Sequence, residues 1–183
     1  MTEAARLLPA DLVGPSPYTS PEVATLVRIA RTDHTVANTM ASSLPEDERA
    51  IVLLHVGDAA LRTCGKRSEL PALIDQARAA YDGARLIASR KITSRWAVIE
   101  AAALYGLAIA EMAESKLWRA ALQLRRGATV LTGVDSSSLI VEDLQIHGLD
   151  ARRVAAAINE LRANVLTTIE NGHTVTDAVT TDD

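Results

Sequence analysis

Aromatic side chains are scarce in this chain of 183 residues, in which Phe is absent and Phe, Trp and Tyr together make up 3%. The hydrophobic share is nevertheless 48%, and most of it is Ala, Leu, Val and Ile. A ligand pocket walled by aromatic rings is therefore disfavoured. Small side chains let helices approach closely, and Ala is the strongest helix former. The composition predicts a core of closely packed helices.

Cysteine and positive charge are also in short supply. Cys64 is the only cysteine, so no disulfide can form within the chain, and this count suits a reducing compartment. The formal net charge is −4 and the pI is near 5.6, which disfavours a chain that mainly wraps nucleic acid, because phosphate neutralisation needs a basic surface. Residues 1–9 lack the basic and apolar regions of a signal peptide. We therefore expect a cytoplasmic protein.

The motifs that carry catalysis or hold metals are missing from the sequence. The histidines lie on four separate segments, at His34, His55, His147 and His173, without the His-Glu-x-x-His or Glu-x-x-His spacing of metal sites. The glycines form no phosphate-binding loop, and the serines at 136–138 are better explained as a helix cap than as a nucleophile. We predict a non-enzymatic protein with no catalytic residue, no cofactor and no metal site.

The most informative segment that is present is the apolar stretch 96–113, whose only charged residues are Glu100 and Glu111. A helix that is apolar on nearly every side must be surrounded by protein. A membrane span is disfavoured, because each glutamate would cost about 2.5–3.5 kcal/mol near the bilayer centre. We predict a central helix near residues 95–114.

The two glutamates of this helix share one stripe of its surface. Burial can raise the pKa of a carboxyl group into the range of a general acid. Pairing with a basic side chain is the simpler interpretation, because buried carboxylates usually have such a partner. The arginines on the same predicted hairpin are Arg95, Arg119 and Arg125.

Capping signals divide the remaining chain into further helices. Ser20 and Pro21 are typical of a helix start, and Ser43 with Glu46 has the spacing of a capping box. The predicted helices run over about 21–41, from 46 to Gly65, from Ser68 to beyond Leu86, over 94–114, from 117 to Gly133, over 139–146, and from Asp150 to Gly172.

Short joints predict that consecutive helices pack antiparallel as αα-hairpins. We predict an all-α, single-domain bundle of about six to seven helices. A short stack of helical hairpins is the alternative. The domain organisation is an extended proline-rich arm at 1–20, a helical domain at 21–172 and a flexible acidic tail at 173–183.

One segment resembles a known family. Residues 44–54, Leu-Pro-Glu-Asp-Glu-Arg-Ala-Ile-Val-Leu-Leu, are similar to the opening helix of sigma-factor region 4, and Leu73 to Arg78 are similar to the end of its recognition helix. The resemblance implies promoter binding through a helix-turn-helix. Pro71 falls in or just before that reading helix, and the loop between the two helices is shortened, so the sequence assigns the chain to no family.

Two surfaces are candidates for function. The last predicted helix has more apolar positions than one core face needs, and we predict an oligomer interface at Ala155, Ile158, Leu166 and Ile169. Basic residues cluster at two joints of the fold, at Arg85, Arg90, Lys91, Arg95, Arg152 and Arg153. We expect an assembly, scaffold or adaptor protein that contacts protein partners and self-associates. A helical regulator that binds nucleic acid through the basic residues is the alternative, and no membrane partner is expected.

Overall fold

The computed structural model describes residues 7–12, 20–63, 70–132, 134 and 151–179, and it describes side chains as far as Gly172. Every regular element in these ranges is a helix, which confirms the predicted all-α fold. The helices are α1 (Pro9–Leu12), α2 (Pro21–Ala30), α3 (His34–Ala41), α4 (Glu46–Arg62), α5 (Leu70–Ala88), α6 (Ser94–Ala113), α7 (Leu117–Thr132) and α8 (Ala151–Val179).

The central helix of the bundle is α6, as predicted for residues 95–114. It contacts α1, α4, α5, α7 and α8, and almost all of its side chains are buried. Among the described residues it is the one helix long and apolar enough to cross a membrane, but most of it is buried inside the molecule. Burial by neighbouring helices accounts for its apolar character.

Neighbouring elements along the chain pack against each other. The extensive contacts join α4 to α5, α5 to α6, α6 to α7 and α7 to α8, while α2 and α3 lie against α4. One continuous hydrophobic cluster runs through these helices. The antiparallel arrangement of each hairpin stays a prediction.

The continuous helix predicted over 21–41 is wrong, because the structure divides it into α2 and α3. Asp33 is the N-cap of α3, and its side chain accepts a hydrogen bond from the backbone N–H of Val36 at 3.0 Å. An Asp side chain that satisfies this N–H favours a new helix start over continuation of the previous helix.

The capping box predicted at the start of α4 is also wrong. The Ser43 hydroxyl donates to the backbone carbonyl of Met40 at 2.7 Å and so satisfies the end of α3. The N-cap of α4 is Pro45, which makes no side-chain capping bond. Three acidic residues in the first turn favour this helix start through the helix dipole.

Both ends of the folded part differ from the sequence prediction. Residues 7–12, assigned to an extended arm, pack onto α4 and α6, and Leu12 is 1% exposed. The last helix continues through Gly172 to Val179. A cost of about 1 kcal/mol for one glycine does not end a long helix whose buried residues anchor it. The short helix at 139–146 and the signals at Gly65, Ser68, Gly133 and Asp150 lie outside the described residues.

Candidate functional site

A carboxyl group lies in the core where α1, α4 and α5 meet. Asp58 on α4 is 2% exposed. Its Oδ1 accepts a hydrogen bond from the Tyr81 hydroxyl at 2.8 Å, and its Oδ2 accepts one from the backbone N–H of Ala10 at 2.8 Å. Burial raises the pKa of Asp58 to about 7, against the lowering effect of these two hydrogen bonds. The group therefore titrates near neutral pH and ties three helices together.

The ring of Tyr81 fits between α4 and α6 because both helices have a glycine there. A Cβ atom on Gly57 would lie 2.5 Å from Tyr81 Cε1, and a Cβ on Gly106 would lie 2.7 Å from the same atom. Real Cβ atoms essentially never approach so closely. The two glycines therefore leave the space that lets the tyrosine hydroxyl reach Asp58.

The N-terminal segment, defined as residues 7–12, is fastened to this centre by polar contacts. Nη2 of Arg62 donates to both carboxylate oxygens of Asp11, at 2.9 and 2.7 Å, and the backbone N–H of Leu8 donates to Asp11 at 3.0 Å. The Tyr105 hydroxyl on α6 donates to the carbonyl of Leu7 at 3.0 Å. Burial raises the pKa of Asp11, but the hydrogen bonds and the charge of Arg62 outweigh it and leave the pKa lowered.

A cavity of about 520 Å³ opens beside this segment, and we call it the α2–α4 cavity. Its lining residues are Leu7, Ala10, Asp11, Val27, Arg31, His55, Asp58, Ala59, Arg62 and Arg153. Three of them are arginines, so the lining is more basic than the chain as a whole.

The imidazole of His55 is uncharged at neutral pH in this cavity. Burial lowers the pKa of His55 to about 4, and the positive charge of Arg31 adds to the effect. Within the described part of the chain, the His55 ring makes no hydrogen bond. The guanidinium of Arg31 likewise forms no ion pair with a described carboxylate.

The buried glutamate of α6 pairs with an arginine, but not with one of those predicted. Arg78 on α5 lies 3.6 Å from Glu111 (Nε to Oε1) and also forms an ion pair with Glu114. Lys116 donates to Glu114 at 2.8 Å, and this bond, with help from Arg78, lowers the pKa of Glu114. The guanidinium therefore separates two carboxylates that would otherwise repel each other.

The second glutamate of α6, Glu100, lines a groove between α5 and α7, which we call the α5–α7 groove. Burial raises the pKa of Glu100, while the charges of Arg85 and Arg126 lower it. The groove has a volume of about 280 Å³. Its lining residues are Arg85, Glu100, Leu104, Leu122, Arg125, Arg126, Thr129 and Val130.

Large apolar side chains lie exposed beside this groove. Leu122 on α7 is 53% exposed, and Trp118, one helical turn earlier, is 66% exposed. Residues four apart lie on the same face of a helix. The sequence analysis named no interface residue on this helix.

The predicted interface residues are divided between core and surface. Ile158 is fully buried and Ile169 is 8% exposed, on the face that α8 turns towards the core. Leu166 is 36% exposed and Ala155 is half-buried. Only Ala155 and Leu166 therefore lie where a second chain could reach them.

The predicted basic residues do not form one surface of unmatched positive charge. Arg85 pairs with Asp82 at 2.8 Å, while Arg90 and Lys91 lie within 4 Å of Glu46 in the first turn of α4. Arg95 and Lys91 both stack over the ring of Trp96, at 5.5 and 5.8 Å from its centroid. Arg152 and Arg153 lie at the start of α8, where Arg153 borders the α2–α4 cavity.

Within the described ranges, no three His, Cys, Asp or Glu side chains lie close enough together to hold a metal ion. No family model, curated protein or solved structure matches the chain. Conclusions about function therefore depend on the geometry of these sites.

Proposed function

We propose that this chain is a non-enzymatic assembly or adaptor protein of the cytoplasm that works through protein–protein contacts and associates with copies of itself. The observation that carries the proposal is the outer face of α7, where Leu122 is 53% exposed beside the α5–α7 groove. Exposed apolar surface that adjoins a groove is typical of protein contact sites. Half-buried Val130 in the groove extends that surface.

Charge favours a second copy of the chain as the partner. The groove is lined by three arginines and one carboxylate, Glu100. Arg85 pairs with Asp82 outside the groove, but Arg125 and Arg126 still give the lining more positive charge than Glu100 balances. The whole chain has a net charge of −4, so the surface of another copy is on average acidic. Opposite charges orient an encounter, while burial of apolar side chains supplies most of the affinity.

Light scattering of the purified protein over a range of concentrations tests this proposal. We expect the average mass of the wild-type protein to rise with concentration. Leu122→Asp should stay monomeric and folded, since an exposed position tolerates a charge. The matched control is Val36→Asp on α3, which is 44% exposed on a different helix and should associate as the wild type does. A wild-type protein that is monomeric throughout would overturn self-association.

A second variant distinguishes an interface on α7 from an interface on α8. Ala155→Glu combined with Leu166→Glu changes the two interface candidates that remain accessible on α8. We expect this variant to associate like the wild-type protein if the α7 face is the contact. Loss of association in the α8 variant alone would move the interface to α8 and contradict the assignment to Leu122.

The nucleic-acid-binding regulator has less support. Arg85, Arg90 and Lys91 each have carboxylates within 4.0 Å, which reduces the positive charge available to phosphates. Filter binding over a salt titration distinguishes the two functions. Retention that falls steeply with salt would favour the regulator, whereas weak retention without such a slope is expected for an assembly protein.

A further inference from the structure

The α2–α4 cavity is separate from the groove and helix face assigned to protein contacts, since the two sets of lining residues do not overlap. We propose that this cavity is a binding site for a small phosphate monoester, with Arg31 and Arg62 holding the phosphate oxygens. Three features of the cavity support the proposal: its guanidinium groups, its imidazole and its size.

The two guanidinium groups have donors to offer. Arg31, at the C-terminal end of α2, has no carboxylate partner among the described residues. Arg62 uses only Nη2 to hold Asp11, which leaves Nε and Nη1 for another acceptor. A guanidinium presents its N–H groups in a planar fork that matches the oxygens of a phosphate.

The imidazole of His55 lacks a partner that a ligand would supply. It is half-buried and lines the cavity, yet it makes no hydrogen bond to the described part of the chain. A neutral imidazole carries one N–H donor and one acceptor nitrogen. A hydroxyl or ester oxygen next to the phosphate can satisfy either nitrogen.

The number of donors and the size of the cavity favour a phosphate monoester over a bare ion or a simple carboxylate. Arg31 and Arg62 together offer more N–H donors than the two oxygens of one carboxylate can accept, whereas a phosphate monoester presents three terminal oxygens. A volume of about 520 Å³ lies within the range of small-molecule sites, about 300–1,000 Å³, and exceeds what inorganic phosphate needs. The space beyond the phosphate therefore has room for a small organic group.

Isothermal titration calorimetry at fixed ionic strength tests the proposal with three probes: inorganic phosphate, glycerol phosphate and succinate. We expect glycerol phosphate to bind more tightly than inorganic phosphate, and succinate to bind least. Arg31→Gln should weaken binding of glycerol phosphate at least about tenfold, because a hydrogen bond to a charged group is lost. Arg28→Gln is the matched control: it removes the same charge from an exposed residue of the same helix that does not line the cavity.

Succinate binding as tight as that of glycerol phosphate would overturn the phosphate assignment, and equal weakening in both variants would show only general attraction to positive charge.

An NMR titration of the histidine ring protons locates the bound anion without any substitution. We expect the His55 signals to move while those of His34, which bonds to Gln76 on another part of the surface, stay in place. Equal movement of both, or of neither, would overturn the site. Light scattering is independent of these measurements, so either proposal can fail alone.

Discussion

Burial shifts the pKa values of two side chains of the α2–α4 cavity in opposite directions. Burial raises the pKa of Asp58 from 3.8 to about 7, in an environment that also contains Tyr81, Arg62 and Asp11. Burial lowers the pKa of His55 from 6.5 to about 4, with Arg31 as the next cause. The folded state thus favours the neutral form of both groups.

The consequences for stability follow from proton linkage. Folding is favoured by protonated Asp58 below its unfolded pKa, and this contribution is lost as the pH rises through the folded pKa. Neutral His55 contributes above the unfolded pKa of histidine, and that contribution is lost as the pH falls towards 4. Between about pH 4.5 and 6, Asp58 lowers the free energy of unfolding as the pH rises, while His55 raises it. Each contribution changes by up to about 1.4 kcal/mol per pH unit.

Urea denaturation in phosphate-free buffers over this pH range separates the two groups. Relative to the wild-type protein, Asp58→Asn should become steadily more stable as the pH rises, because asparagine does not ionise and so avoids the cost of a buried charge. His55→Gln should become steadily less stable over the same range. Differences that are independent of pH, or that share one sign, would contradict the neutral forms assigned to the two side chains.

The position of Tyr81 makes a second prediction at the scale of one residue. A Cβ on Gly106 would lie 2.7 Å from Tyr81 Cε1 and 2.8 Å from Pro9 Cγ, and the tyrosine is held in place by Asp58. Gly106→Ala should therefore destabilise the protein by about 1–3 kcal/mol, the usual cost of overpacking a core.

Gly172→Ala is the control for Gly106→Ala. Both glycines are helical, but a Cβ on Gly172 has no heavy atom within 4 Å. Alanine there should raise stability by up to about 1 kcal/mol through helix propensity. Thermal unfolding measures both effects, and a Gly106→Ala protein as stable as the wild type would mean that the ring has room to move.

At the scale of elements, the sequence predicted helices from periodicity and predicted their ends less well from caps. The apolar stretch of α6 has one interpretation, and its bounds agree with the prediction to within about a residue. Ser43 and Asp33, by contrast, are both good capping residues, and local sequence does not decide which helix end each one serves. That choice depends on packing, as the bond from Ser43 to the end of α3 illustrates.

The N-terminal segment is an element that the sequence placed outside the fold. Proline density predicted an extended arm, but Leu12 is 1% exposed and Ala10 donates to Asp58. These partners lie 48 residues away for Asp58 and 98 for Tyr105, beyond the reach of any local pattern. The one local sign that Asp58 is buried is its position within residues 52–60, which are mostly apolar.

A truncation within the N-terminal segment tests its place in the core. Leu12→Ala should cost about 2–5 kcal/mol, as for other buried leucines, and lower the Tm by about 2–4 °C per kcal/mol. The control is Leu122→Ala. Leu122 is 53% exposed, so this substitution should change the Tm little. Equal melting temperatures for the two variants would mean that residues 7–12 form an extended arm and are not part of the core.

For the whole molecule, composition and apolar periodicity were enough to predict an all-α fold, but not its sites. The α2–α4 cavity gathers Arg31, His55, Arg62 and Arg153 from three helices. Arg31, His55 and Arg62 are not unusual in their local sequence, and Arg153 stood out only as part of a basic cluster. Their convergence appears only when α2, α4 and α8 are placed in space, which is why the sequence analysis predicted no ligand site.

The bundle as a whole depends on α6, the helix that contacts α1, α4, α5, α7 and α8. Leu107 on α6 is 5% exposed, and no water is available there to solvate a charge. Leu107→Asp should therefore unfold the protein, because an unpaired buried carboxylate costs several kcal/mol against a total stability of about 5–15 kcal/mol. Leu86→Asp is the matched substitution at a leucine of α5 that is 43% exposed, and it should leave the helical circular dichroism and the Tm close to those of the wild type. A Leu107→Asp protein with the wild-type helical signal and Tm would mean that α6 is not the element around which the other helices assemble.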